Sequence, residues 1–147
     1  MLHTRWSVAI CALVLSGCAA AHGVLTAPLP DIDPSFVAEV AVIRPSGFKG
    51  CAVAMPVMID GRQVFTIECG KYVLYPVLAG EHVFGISSRA VGEVPMTNAT
   101  PMTVVARQRY YLRLDSLLWT GATLEPITPE EGERLMTETS PLIAPAK

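Results

Sequence analysis

From Phe36 onward, the chain is a succession of short β-type runs broken by turn-forming residues, with no amphipathic helical segment before about residue 128. Such runs are typical of strands. We predict eight strands, at 37–44, 51–58, 62–69, 72–77, 82–88, 102–106, 108–114 and 122–125. Their number and spacing predict an all-β fold, a single antiparallel β-sandwich of about seven or eight short strands. With 147 residues the chain is long enough for one such domain, at 36–138, plus short appendages.

Residues 1–17 have the layout of a secretory signal peptide. A short basic region ends at Arg5, an apolar stretch runs from Trp6 to Leu15, and the tetrapeptide Leu-Ser-Gly-Cys ends at Cys18. The apolar stretch is shorter than the roughly 20 residues that a membrane-spanning helix needs, so a retained transmembrane anchor is the weaker alternative.

The tetrapeptide resembles the lipobox of bacterial lipoproteins. This resemblance implies that Cys18 carries a diacylglycerol thioether and becomes the first residue of the mature chain. Two or more acyl chains give stable membrane anchoring. Ala19, rather than an aspartate, follows the cysteine, which in such lipoproteins implies the outer membrane of a Gram-negative host, with the domain facing the periplasm. Residues 18–35 are small and rich in proline, and we expect the lipidated cysteine and a flexible tether there.

The Asp60-Gly61 pair predicts a β-hairpin in one of two registers. A two-residue loop pairs Ile59 with Arg62 and mixes polar with apolar residues on one face. A three-residue loop with a glycine bulge pairs Met58 with Arg62 and makes one face nearly all apolar. Because a slip of one residue exchanges the two faces, the hydrophobic pattern favours the three-residue loop.

Two cysteines remain in the exported domain, since Cys11 leaves with the signal peptide and Cys18 takes the lipid. The three-residue loop sets Cys51 directly opposite Cys69. An oxidising periplasm and the close spacing of opposed strand residues predict a disulfide between them. The alternative is a pair of buried thiols that pack as small hydrophobic groups.

The segment 107–115 alternates cleanly and is rich in arginine. It is either a half-buried strand with a solvated face, or a cationic, aromatic surface for an anionic or glycan partner. A tryptophan farther along either packs at the edge of the core or serves as an anchor for a partner. The candidate binding face consists of Arg107, Arg109, Tyr111, Arg113 and Trp119.

A capping box begins at Thr128, with proline at the first helical position and Glu131 three residues after the cap. It predicts a short helix to about Thr137. Gly132 weakens this helix by roughly 1 kcal/mol relative to alanine. We expect residues 139–147 to be a disordered tail.

The sequence contains no recognisable motif for catalysis, metal binding or phosphate binding. The mature chain has two histidines, His22 and His82, and neither belongs to a cluster at metal-ligand spacing or accompanies a nucleophile motif. Glycines stand singly at turns and do not form a phosphate-binding loop. The formal charge of −2 gives no electrostatic basis for binding nucleic acid. We therefore expect no enzyme activity, no cofactor, no metal and no nucleic-acid partner.

Six short motifs together resemble a family of uncharacterised bacterial envelope lipoproteins with a small β-sandwich domain, over roughly residues 36–137. The Asp-Gly hairpin and the Gly-Glu-His turn are also similar to PEGA and carboxypeptidase-regulatory-like modules, which are non-enzymatic sandwiches. The resemblance supports the fold and implies no catalytic residues. The motifs are Ala41-Val42-Ile43-Arg44-Pro45, Val57-Met58-Ile59-Asp60-Gly61, Cys69-Gly70-Lys71-Tyr72, Ala79-Gly80-Glu81-His82, Tyr110-Tyr111-Leu112-Arg113 and Glu130-Glu131-Gly132.

A strong anchor without chemistry predicts an interaction or structural module. We expect a lipid-anchored, periplasm-facing domain with an envelope protein as partner, such as an accessory subunit of an envelope assembly. The alternative is a binding domain for cell-wall glycan, peptidoglycan above all, or for a small ligand.

Overall fold

The computed structural model describes residues 22–26, 28–47, 51–87, 96–117 and 121–143. In these residues the protein is mostly β, as the short runs between turn residues predicted. The elements are β1 (Val37–Arg44), β2 (Met55–Ile59), β3 (Arg62–Ile67), β4 (Lys71–Leu78), β5 (Gly80–Ser87), β6 (Met96–Val104), β7 (Arg109–Leu117), β8 (Gly121–Ile127), α1 (Pro129–Glu138) and β9 (Ser140–Pro141).

The strands form two sheets. One has five strands in the order β8-β7-β1-β4-β9, and the other has four in the order β3-β2-β5-β6. All eight predicted strands are present, although several of their bounds differ. The pairings β1–β7 and β4–β9 are parallel, whereas the prediction had antiparallel pairs alone. Strands far apart in sequence can pair in parallel because the long connection between them returns the chain to the same end of the sheet.

A single hydrophobic cluster contains residues of both sheets and gives a β-sandwich-like arrangement. In β1, Val40 and Val42 point into this cluster, while Ala41 and Ile43 on the opposite face join a second cluster with Leu135 of α1. The helix therefore covers the outer face of the five-stranded sheet. Consequently β1 is buried on both faces, which explains its nearly continuous apolar sequence.

The helix begins as predicted and ends one residue after the expected end. Thr128 is its N-cap, and the Thr128 hydroxyl accepts a hydrogen bond from the Glu131 backbone N–H at 3.3 Å. Within the described residues, no helix combines the length and the apolar character needed to cross a bilayer.

The hairpin between β2 and β3 corrects the predicted register. Ile59 pairs with Arg62, so the loop has two residues. Asp60 and Gly61 have φ values of 50° and 76°, as both central residues of a type I′ turn require. The predicted three-residue loop is therefore wrong.

A β-bulge follows this turn. It places apolar residues of β2 opposite apolar residues of β3, which is the alignment that the three-residue loop was predicted to give. The pairing steps from Met58 opposite Gln63 to Val57 opposite Phe65, so Val64 is the additional residue. Beyond the bulge, buried apolar residues of the two strands lie opposite each other again. The hydrophobic pattern therefore predicted the buried face correctly. A two-residue loop followed by a bulge produces that face, and not a three-residue loop.

The predicted disulfide is present. Cys51 and Cys69 are bonded, with their Cα atoms 5.3 Å apart. The two cysteines lie outside the ladder, since Cys51 is in a turn before β2 and Cys69 is in the connection after β3. The bond therefore joins the two chain segments that leave the open end of the hairpin.

Part of the predicted tether lies on the domain. The Thr26 N–H donates to Val64 O at 3.0 Å, the Thr66 N–H donates to Val24 O at 2.8 Å, and Leu25 packs against the main cluster. Residues 24–26 thus extend along β3, and the prediction of a flexible tether over 18–35 does not describe them.

The predicted disordered tail also needs correction. Ser140 pairs with Lys71, and the Leu142 N–H donates to Tyr72 O at 2.8 Å. Residues 139–143 therefore belong to the fold, and 144–147 lie outside the described residues. The alternation rule could not find β9 because a strand of two residues has no period.

Side chains link the edge strands β6 and β8 of the two sheets. The Asn98 side-chain amide donates to Ala122 O, and the Thr100 hydroxyl donates to Leu124 O at 2.7 Å. The two sheets are therefore joined by polar contacts along this side, in addition to the shared apolar cluster.

Candidate functional site

The strands carry different residues to the two ends of the molecule. At one end, Val37 pairs with Leu78, and the Ala79 N–H donates to Phe36 O at 2.9 Å. We call this the Phe36 end, and it comprises residues 36, 60–61, 78–82 and 105–108. At the opposite end, Arg44 pairs with Lys71. We call that the disulfide end, and it comprises residues 45–47, 51–53 and 68–71.

Large apolar side chains are exposed at the Phe36 end. Phe36, Leu78 and Val105 are 62%, 50% and 52% exposed. The backbone holds them near one another, since Gly80 pairs with Val104 and Phe36 O accepts from Ala79 N–H. Exposed apolar residues gathered in one region are typical of binding surfaces.

An open cleft of about 630 Å³ lies beside these side chains. It is formed where the segment before β1 approaches the turn that leads into β7. Arg107, which has a φ of 63° in that turn, is exposed at the cleft. The lining residues include Ile32, Pro34, Val37, Arg107, Gln108 and Arg109.

Arg109 is the centre of a charged network at the rim of this cleft. Its Nε lies 2.5 Å from Glu39 Oε1, and its Nη1 lies 3.4 Å from Glu133 Oε1. The Tyr111 hydroxyl donates to the same carboxylate of Glu133. Burial raises the pKa of the Tyr111 phenol above its ordinary value, so the hydroxyl keeps the proton that it donates.

Arg113 is also paired with acidic residues. Its Nε lies 2.8 Å from Asp115 Oδ2, and its Nη1 lies 3.1 Å from Glu131 Oε1 of α1. Arg109 and Arg113 are therefore charge-paired, and Tyr111 between them is buried against the helix. Both of these arginines of the candidate binding face thus have acidic partners, which sequence alternation does not reveal.

The remaining predicted site residues are placed as follows. Arg107 lines the cleft, and Cys51 and Cys69 form the disulfide at the opposite end. Cys18 and Trp119 lie outside the described residues.

A contact between Asp60 and His82 was not predicted. His82 Nδ1 lies 2.6 Å from Asp60 Oδ2, His82 Nε2 lies 2.8 Å from Leu78 O, and the Val83 N–H donates to Asp60 Oδ1 at 2.9 Å. Both ring nitrogens thus lie within hydrogen-bond distance of oxygen atoms. This arrangement fixes the hairpin turn to β5 and leaves neither nitrogen of His82 open toward a substrate.

Asp60 is held in its charged form by these contacts. Burial raises the pKa of its carboxyl group, but the hydrogen bonds from Val83 and His82 outweigh burial and hold that pKa below its ordinary value. The turn at Asp60 and the position of His82 are both visible in the sequence. Their contact depends on the pairing of β2 with β5, which the sequence pattern does not show.

Among the described residues, no three His, Cys, Asp or Glu side chains are grouped so that they could hold a metal ion.

No family model, no curated protein and no solved structure matches this chain.

Proposed function

We propose that the protein is a lipid-anchored interaction module of the bacterial envelope, which binds an envelope protein through its Phe36 end. The domain is a β-sandwich related to the envelope lipoprotein family that its motifs resemble. It is anchored by the lipid on Cys18 and faces the periplasm from the outer membrane. The exposed apolar group of Phe36, Leu78 and Val105 is the observation that carries the proposal.

The pairing of the cysteines supports a location in the periplasm. Cys51 and Cys69 are the two cysteines that remain once Cys11 is removed and Cys18 is acylated, and they are joined in a disulfide. Disulfides of this structural kind are typical of oxidising compartments such as the periplasm and are rare in the cytosol. The Leu-Ser-Gly-Cys tetrapeptide at Cys18 independently supports export and lipidation.

The surface chemistry supports a protein partner at the Phe36 end. Exposed apolar side chains stabilise a complex when a partner removes them from water. The neighbouring cleft offers a depression for a complementary side chain, with Arg107 available for polar contacts at its rim.

The anchor is tested by mass spectrometry of the N-terminal peptide from the native envelope. We expect a chain that begins at Cys18 and carries diacylglycerol, and we expect Cys18→Ala to leave the membrane fraction. An unacylated Cys18 in the mature protein contradicts the proposal.

The interaction is tested by mild cross-linking of the tagged protein in native envelopes, followed by detergent extraction and mass spectrometry. Phe36→Asp is compared with Ala99→Asp, which places the same charge at an exposed position of β6. We expect one envelope protein at near equal stoichiometry with the wild type and with Ala99→Asp, and at least tenfold less with Phe36→Asp. Equal recovery with both variants, or no partner with the wild type, contradicts the proposal.

The cleft favours a second candidate function, the binding of a cell-wall glycan or small ligand. An open cleft of about 630 Å³ with exposed Arg107 has the size and polarity of such a site. Co-sedimentation with purified peptidoglycan that is lost with Arg107→Ala, and retained with Arg62→Ala at an exposed position of β3, would favour it over the protein partner.

A further inference from the structure

The chain enters the described structure at the disulfide end. His22 Nδ1 lies 3.7 Å from Glu68 Oε2, and a Cβ added to Gly23 would lie 2.9 Å from Thr66 O. Residues 22–24 thus lie beside the last residues of β3 and the connection that follows it. From there the chain runs along β3 toward the hairpin turn at the Phe36 end.

This path fixes how far the domain can lie from the lipid. Three residues lie between Cys18 and His22, and an extended chain spans at most about 3.6 Å per step, or about 14 Å over the four steps. Residues 24–26 are held on β3 by backbone hydrogen bonds. They add no length between the domain and the membrane.

We propose that the domain rests with its disulfide end against the lipid bilayer and its Phe36 end directed away from it. This inference rests on the proposed lipidation of Cys18, because the acylated cysteine fixes the start of the chain at the membrane surface. The occupant of the disulfide end is therefore the bilayer itself.

The chemistry of the disulfide end suits a lipid surface. Val24, Val53 and Ile143 are exposed aliphatic residues there or directly beside it. Among the described residues of β1 and β4 at this end, Lys71 Nζ donates to Ser140 Oγ at 2.9 Å and Arg44 is buried. Contact through aliphatic side chains, rather than through a basic cluster, makes the orientation insensitive to salt and to anionic lipid.

The orientation also explains the position of the proposed interaction surface. The eight residues of β1 span about 26 Å at roughly 3.3 Å per residue, from Arg44 at the disulfide end to Val37 at the Phe36 end. The exposed apolar residues of the Phe36 end consequently lie on the side of the domain that faces the periplasm, where a protein partner can reach them.

The test uses the full lipidated protein in liposomes of phosphatidylethanolamine and phosphatidylglycerol that contain a diazirine-bearing phospholipid. After irradiation, cross-linked peptides are located by mass spectrometry. We expect labelling of Val24, Val53 and Ile143, assigned to single residues by peptide fragmentation, and at least tenfold less labelling of Phe36 and Val105. The ratio should stay the same between low and high salt. Equal labelling of the two ends, or stronger labelling of the Phe36 end, would overturn the inference.

A longer tether provides the matched variant. Insertion of twelve glycine and serine residues between Ala21 and His22 leaves every described contact of the fold unchanged, and it lets the domain leave the bilayer. We expect labelling of Val53 and Ile143 to fall at least fivefold, while the same twelve residues appended after Lys147 change nothing. Unchanged labelling with the longer tether contradicts the inference.

The mass of the N-terminal peptide from the same samples separates the two proposals. An unacylated Cys18 overturns the proposed anchor. An acylated Cys18 with equal labelling of the two ends overturns the orientation alone.

Discussion

Gly132 of α1 lies directly against the ring of Tyr111 in β7, so that a Cβ added to Gly132 would lie 2.2 Å from Tyr111 Cδ1. Helix propensity alone makes alanine more stable than glycine in a helix by about 1 kcal/mol. At this position we expect the preference to be reversed. Glycine lets the helix approach the sheet closely, whereas the methyl group of alanine would collide with the Tyr111 ring.

We therefore expect Gly132→Ala to lower the free energy of unfolding by about 1 to 3 kcal/mol, as overpacking in a core does. Urea denaturation followed by circular dichroism measures the change. Gly47→Ala serves as the control, because a Cβ there meets no atom within 4 Å. A more stable Gly132→Ala protein would show that the helix does not need this close approach.

The buried Arg44 should be among the most sensitive positions of the disulfide end. Arg44 is 1% exposed, and its Nη1 donates to Val53 O at 2.9 Å and to Ile67 O at 2.7 Å. Arg44→Met preserves much of the volume but leaves these carbonyl groups without their donor, so we expect a loss of about 2 kcal/mol or more. Arg62→Met at an exposed position should change the free energy of unfolding by less than about 0.5 kcal/mol. Similar effects for the two variants in urea denaturation would contradict the structural role of Arg44.

The disulfide should contribute measurably to stability. Cys51 and Cys69 are 18 residues apart, and a cross-link of that span stabilises a fold by about 3 kcal/mol through its effect on the unfolded chain. Reductant should lower the urea midpoint of the wild type by the corresponding amount. The double variant Cys51→Ala/Cys69→Ala should be less stable and indifferent to reductant. A wild-type midpoint that reductant leaves unchanged would argue against the bond.

Asp60 should make stability depend on pH in the acidic range. Its pKa in the folded protein lies below its ordinary value, so the stabilisation is present above the unfolded pKa of about 3.9 and is lost as pH falls through the folded pKa. Asp60→Asn keeps a residue suited to positive φ in the turn and removes the titration. We expect the difference in free energy of unfolding between wild type and Asp60→Asn to shrink as pH falls below about 4. A constant difference across this range would contradict the assignment, and Asp31→Asn is the control.

The sequence predicts the strands well because alternation survives in a segment that has one buried face, as in β4, where Val73, Tyr75 and Val77 are buried. It predicts less well where pairing is decided by distant parts of the chain. The two-residue loop at Asp60-Gly61 shifts the register by one residue, and the bulge at Val64 shifts it back. The apolar pattern is therefore the same as for a three-residue loop without a bulge, and it could not distinguish the two arrangements. Leu25 and β9 pair through edges that the local sequence does not describe.

The candidate site was harder to predict than the fold. Arg109 and Arg113 stand in a pattern that is equally compatible with an open face and with a covered one. The docking of α1 brings Glu131 and Glu133 onto the sheet and supplies acidic partners that the sequence pattern does not show. Phe36 and Leu78 carried no signal in the sequence, because their exposure depends on where the strands end.

Residues 24–26 also cover the edge of the four-stranded sheet at β3, which protects the protein against self-association. An uncovered strand at the border of a sheet offers unpaired amide and carbonyl groups to a second molecule and is a starting point for aggregation. Val24 and Thr26 occupy those groups on β3. A proteolytic cut after Thr26 would therefore do more than release the domain from its anchor, since it would free this border of the sheet to recruit other copies into an intermolecular sheet.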